Sequence, residues 1–161
     1  MGSGFTMLGF VVIAVLYVGI GIIAATGTIF IFRKIFSPKS EQIFYAMCLV
    51  PVAGFYLAFI AYFGAASAWP LEGTAVVAFV AIALLGVRLP FALMVGYSLH
   101  GLWDFLHELQ AHGGHSAFAS GQLTTIPLAY GFFCAAYDFY MAAYFYRRRV
   151  EWSAAWKGVP G

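Results

Sequence analysis

The chain has 161 residues, of which 63% are hydrophobic and 9% charged, and its net charge is +2. A mean hydropathy of +0.90 is more than a water-soluble domain of this length sustains without aggregating. A soluble globular protein is excluded, and so is a nucleic-acid binder, because no basic groove with interleaved aromatics is present. An all-α, polytopic transmembrane bundle forming a single domain over residues 1–161 is the expected fold.

About 20 apolar residues cross a bilayer core, and on that rule five spans are predicted: Met7 to Phe32, Ile43 to Phe63, Trp69 to Val87, Pro90 to His107, and Leu123 to Tyr146. The first lacks a basic start, is too long for a cleavable signal and ends in Arg33-Lys34, so it is expected to remain as an anchor. Pro51 predicts a kink in the second. The stretch from Thr74 to Glu108 reads either as one long helix or as two spans turning at Arg88-Leu89-Pro90. Charge decides between them. With two spans, Arg33, Lys34, Lys39, Arg88, Arg147, Arg148, Arg149 and Lys157 all fall on one side, as the positive-inside rule prefers. The N-terminus is then outside and the C-terminus cytoplasmic, in a multi-pass protein expected in a bacterial inner membrane. Pro90 suits the first helical turn, where its missing N–H is unpaired anyway.

Cys48 and Cys134 lie within spans, away from any CxxC pattern, and read as buried thiols. Residues 110–122 form a Gly- and Ser-containing loop on the outer side. The tail, residues 147–161, with Trp152 and Trp156 four apart behind three arginines, reads as a helix in the inner headgroup layer. The dense aromatic residues of the second and fifth spans read as packing and interface belts.

All 4 histidines fall between positions 100 and 115. His100, Asp104 and His107 stand at i, i+4 and i+7 on one helical face. Two imidazoles and a carboxylate match the donors of zinc and non-haem iron sites, so these three are the candidate ligands of a divalent metal: zinc, iron or copper. His100 and His107 are about 10 Å apart along the axis, which makes either shorter pair with Asp104 the easier chelate. Glu108, His112 and His115 are the candidate additional ligands.

A second polar stripe, Tyr130, Cys134 and Asp138, runs along the fifth span. At about 1.5 Å per residue, His100 lies about 12 Å deep, and counting from Thr124 puts Tyr130 at about 9 Å, Cys134 at about 15 Å and Asp138 at about 21 Å. Tyr130 and Cys134 are therefore the expected partners of His100, with Asp138 near Tyr97. Asp138, Tyr97 and Tyr130 are the candidate catalytic groups, around a small cavity that opens outward. Gly96 and Gly101 allow a neighbouring helix or ligand to come close.

Three readings share this cavity: a metal site acting on a lipid-like substrate, metal-free acid–base or proton-relay chemistry, and hydrogen-bonded glue in an accessory or scaffold subunit. Haem does not fit, because only one span carries histidines. Membrane lipids, and a homo-oligomer or larger membrane complex, are the expected partners. No nucleotide-binding motif and no internal repeat is evident.

The stretches His100-Gly101-Leu102-Trp103-Asp104-Phe105-Leu106-His107 and Gly131-Phe132-Phe133-Cys134-Ala135-Ala136-Tyr137-Asp138 resemble the HxxWDxxH and GxxCxxxD signatures of a family of small bacterial integral membrane proteins of unknown function. The resemblance covers about the last third of the chain. It implies that the two helices form one site and supplies no activity.

Overall fold

A computed structural model describes residues 7–112, 114 and 116–158. It contains five α-helices, α1 (Met7–Ile35), α2 (Pro38–Phe63), α3 (Trp69–Gly86), α4 (Pro90–Ala111) and α5 (Tyr130–Lys157), with a 3-10 turn at Ala66–Ala68 before α3 and no strand among the described residues. Three segments, α1, α2 and the 3-10 turn continued by α3, are long and apolar enough to cross a membrane. The other two helices, α4 and α5, carry the polar stripes and the arginine cluster.

Local chemistry sets most boundaries. Ser37 caps α2 by accepting the Ser40 N–H at 3.3 Å, Pro38 fills its first turn, and left-handed Gly64 ends it. The helix runs on through Pro51. The long stretch from Thr74 breaks between Gly86 and Pro90, so it is two helices.

One boundary differs from the sequence reading. The last helix starts at Tyr130 instead of Leu123, because Pro127 and Ala129, at φ 61°, hold the approach out of helical geometry. Its exposed first N–H groups meet Glu108 of α4, whose two carboxylate oxygens accept from Ala129 N and Gly131 N at 3.0 Å each. Leu123 and Ile126 remain buried beneath this extended entry. Residues 147–157 continue α5 without a break.

The elements pack antiparallel in sequence, with α4 against α5 as the most extensive contact and α1 lying on α5. At one end, Arg148 of α5 pairs with Glu41 of α2 at 2.7 Å, Trp156 donates to Gln42 at 3.1 Å, and Gln42 donates to Gly86 O at 2.8 Å. Lys39 and Arg88 both sit over the Trp156 ring. The α1–α2 turn, the α3–α4 turn and the end of α5 therefore share one basic end. At the other end, Ser67 donates to Gly121 O at 2.8 Å and Thr124 N donates to Glu72 at 2.9 Å.

Gly131 is where α5 enters against α4. A Cβ there would run into the Asp104 carbonyl and stand 2.7 Å from Glu108 Cβ. Gly131→Ala should therefore lower the unfolding temperature of the detergent-purified protein, at a cost of about 1–3 kcal/mol from overpacking. Gly54→Ala, where nothing lies within 4 Å, should be neutral or slightly stabilising through its helix propensity. Equal melting of the two variants would contradict the close approach.

Candidate metal centre

The buried face of α4 includes Leu93, Tyr97, His100, Gly101, Asp104, His107 and Glu108, at the three- and four-residue spacing of one helical stripe. Gly101 makes this stripe accessible to α5. A Cβ at Gly101 would stand 3.1 Å from Asp138 Cβ and 3.3 Å from Ala135 O, so glycine lets the Asp138 carboxylate reach the level of His100. His100 Nδ1 then lies 2.7 Å from Asp138 Oδ2 and 3.1 Å from Asp104 Oδ2. The other Asp104 oxygen accepts the Tyr56 hydroxyl from α2.

One donor atom each from His100, Asp104 and Asp138 fall within 4.8 Å of one another, and all three residues are buried. Relative exposure is 1%, 0% and 2%, so the group is closed in this conformation. The Phe79 ring of α3 meets the imidazole edge-on at 5.0 Å, and the Tyr56 ring lies at 6.0 Å.

Charge and hydrogen bonding do not close within this group. Two ionised carboxylates facing one imidazole carry net negative charge whether the ring is neutral or protonated. In a low-dielectric interior that charge is costly, so without a cation one of them must hold a proton. His100 directs its Nδ1 edge at Asp138, and both His100 Nε2 and Asp104 Oδ2 lack a hydrogen-bond partner. A buried set of one nitrogen and two carboxylates is a donor set for a divalent cation.

The remaining candidate residues are placed differently. His107 Nδ1 lies 2.8 Å from Trp103 O, and a carbonyl only accepts, so this nitrogen carries a proton. Its Nε2 lies 2.7 Å from Glu72 Oε1, which also accepts Thr124 N at 2.9 Å, while Glu72 Oε2 accepts Trp103 Nε1 at 3.2 Å. Both ring nitrogens of His107 are therefore engaged, Nδ1 by the Trp103 carbonyl and Nε2 by a carboxylate that also gathers a backbone N–H and an indole. His107 lies outside the group that His100 forms with Asp104 and Asp138. Glu108 caps α5 and stands 3.0 Å from His112 Nδ1. Neither contributes to the group around His100, and His115 lies outside the described residues.

Tyr97 donates to Tyr45 O of α2 at 3.0 Å. Tyr130 packs edge-on against Phe59 at 5.1 Å. The direct partner of His100 is Asp138, in place of Tyr130 and Cys134, because α5 starts later than the depth count assumed. Tyr56 and Glu72 are partners the sequence reading did not assign. Their signal was scarcity: the chain has 6 acidic residues, and five of them, Glu41, Glu72, Asp104, Glu108 and Asp138, are buried.

The His107–Glu72 pair has a measurable consequence. Glu72→Gln removes the carboxylate that meets His107 Nε2, Thr124 N and Trp103 Nε1, and should destabilise the protein by about 3–5 kcal/mol. The Glu72→Gln/His107→Gln double variant should unfold no more easily than that single variant. Additive losses in denaturant unfolding would show that the two residues share no ion pair.

No curated protein and no solved structure matches the chain. A family model does match, over residues 11–150, and includes His100, Asp104 and Asp138. The chain belongs to the family of unknown function DUF6010.

Proposed function

We propose that this is a multi-pass membrane protein in which His100, Asp104 and Asp138 hold a divalent metal ion, acting on a lipid-like substrate. The observation that carries this reading is the pair of buried carboxylates on a single imidazole nitrogen, whose one proton serves Asp138 and leaves Asp104 Oδ2, 3.1 Å away, without a hydrogen bond. A divalent cation with two carboxylates and a neutral imidazole brings the site to zero net charge. The mixed nitrogen and oxygen donors favour zinc or ferrous iron over softer, thiolate-seeking ions. Three protein ligands leave room in the coordination shell for water or substrate. Bound there, the ion would act as a Lewis acid or activate a water.

The lipid-like substrate is suggested by the groove between α3 and α4. It has a volume of about 330 Å³ and is lined by apolar residues including Ala78, Ile82, Leu99, Leu102 and Phe79. Phe79 is the ring that separates this groove from His100. In the membrane the groove would face acyl chains, and movement of one side chain would join it to the centre. The five helices are proposed to be five spans with the basic end cytoplasmic, in a bacterial inner membrane, which places the centre nearer the outer face. A reporter fused after Lys157 should then be cytoplasmic, and a tag near Gly114 external. Both reporting from the same side would refute five spans.

Elemental analysis of the protein purified in detergent should find one zinc or iron per chain. Asp104→Ala and Asp138→Asn should lower metal affinity by orders of magnitude, since each removes one of three ligands. Leu102→Ala and His107→Gln should retain the ion. Occupancy should fall as pH is lowered, because protons compete for the imidazole and both carboxylates. Full metal content in Asp104→Ala, or no stoichiometric metal in the wild type, would leave the unpartnered His100 Nε2 as a metal-free base held by Asp138.

A further inference from the structure

A separate polar cavity lies at the basic end, between α1 and α5. It has a volume of about 390 Å³, and its wall includes Ile29 and Arg33 of α1 with Tyr140, Tyr144, Arg147 and Arg148 of α5. The four α5 residues stand at i, i+4, i+7 and i+8, so one helical face supplies them.

The three arginines are not equivalent. Arg148 is fully engaged: its Nε and Nη2 donate to Glu41 Oε2 at 3.2 and 2.7 Å, and its Nη1 reaches Glu151. The Tyr144 hydroxyl also donates to Glu41. Arg33 and Arg147 are exposed and make no hydrogen bond or ion pair with any of the described residues. Four other basic side chains of this end lie over rings, Lys34 over Phe30, Lys39 and Arg88 over Trp156, and Arg149 over Tyr146. Glu151 also lines the cavity, and it and Glu41 set two negative charges against the one positive charge of Arg148, so with Arg33 and Arg147 the group keeps one net positive charge. Two free guanidinium groups on neighbouring helices, above an apolar floor of Ile29 and Ala143, form a receptor for a tetrahedral oxyanion.

We propose that the cavity between Arg33 and Arg147 binds a phosphate group, either the headgroup phosphate of an anionic lipid or free phosphate. The two guanidinium groups supply N–H donors for the phosphate oxygens, and the one net positive charge of the group matches a phosphodiester. The cavity sits where the helices leave the apolar part of the chain, at the level of a headgroup. This site is independent of the metal centre and stands or falls without it.

The full-length protein in neutral detergent is titrated with phosphatidylglycerol, with phosphatidylcholine and with inorganic phosphate, followed by thermal unfolding and native mass spectrometry. Phosphatidylglycerol should stabilise the wild type and remain bound, while phosphatidylcholine should not. Arg33→Gln and Arg147→Gln should each weaken binding about tenfold, and the double variant more, since each removes a charge-assisted contact. Arg149→Gln should bind like the wild type. Both arginines are exposed and unpartnered, so the ligand-free melting of these variants should match the wild type. Stabilisation by inorganic phosphate equal to that by the lipid would identify free phosphate as the occupant. Stabilisation by the lipid alone would identify the headgroup. Equal phosphatidylglycerol affinity in the wild type and the double variant, or an equal loss in Arg149→Gln, would overturn the site in favour of general surface charge.

Discussion

Burying a carboxylate in a helical bundle with so few charges is the constraint on which the other features depend. Glu41, Glu72, Asp104, Glu108 and Asp138 are each 0–2% exposed. In such surroundings an uncompensated carboxylate costs several kcal/mol, so each must be met by donors on other segments. Those donors fix which segments touch and at what height. Glu41 joins α2 to Tyr144, Arg148 and Trp152 of α5. Glu72 joins α3 to α4 and to the approach of α5. Glu108 joins α4 to the start of α5. The apolar surfaces supply most of the contact area, but alone they would tolerate sliding, because lipid tails are as apolar as the helices.

The three levels of the bundle differ in how completely these acids are satisfied. At the basic end, Glu41 receives a tyrosine hydroxyl, a guanidinium and an indole N–H. At the opposite end, Glu72 receives an imidazole, an indole and a backbone N–H. Between them, Asp104 and Asp138 share one imidazole, and two buried polar atoms stay unpaired. Purely structural networks are expected to be complete, because a partly satisfied one is worse than an apolar core. Tyr45 Oη and His112 Nδ1 are also without a hydrogen-bond partner, but at the middle level an unpaired carboxylate oxygen and an unpaired imidazole nitrogen belong to one buried group, where a cation would supply what is missing.

The sequence made the location of this site legible and its membership less so. Clustering of the histidines and the spacing of His100 and Asp104 pointed to α4, and Asp138 stood out as a carboxylate within an apolar span. The error in pairing came from one boundary. Starting α5 at Thr124 placed Asp138 about 21 Å deep, whereas the eight residues from Tyr130 place it about 12 Å deep, which is the level of His100. That boundary is set by left-handed Ala129 and by Glu108 reaching across from α4, neither of which is a local pattern. His107 was misleading for a related reason. Helical periodicity places it on the stripe of His100, but its ring is claimed by Glu72, a residue 35 positions earlier that reads locally as the polar start of α3.

Access to the centre follows from which contacts are rigid and which are not. The α4–α5 contact is the most extensive in the bundle and is built on glycine, with Gly101 against Asp138 and Gly131 against the Asp104 carbonyl, so separating these helices would break close backbone packing along their length. The covers over His100 are side chains from other helices, Tyr56 of α2 and Phe79 of α3. Tyr56 is tied to Asp104 by a hydrogen bond, whereas Phe79 is held by packing alone and borders the apolar groove. Rotating Phe79 breaks no polar contact, while moving Tyr56 would strip Asp104 of its donor. The lower-cost opening is thus on the α3 side, toward the groove, and the rigid α4–α5 pair can keep its three candidate ligands in place while that opening forms.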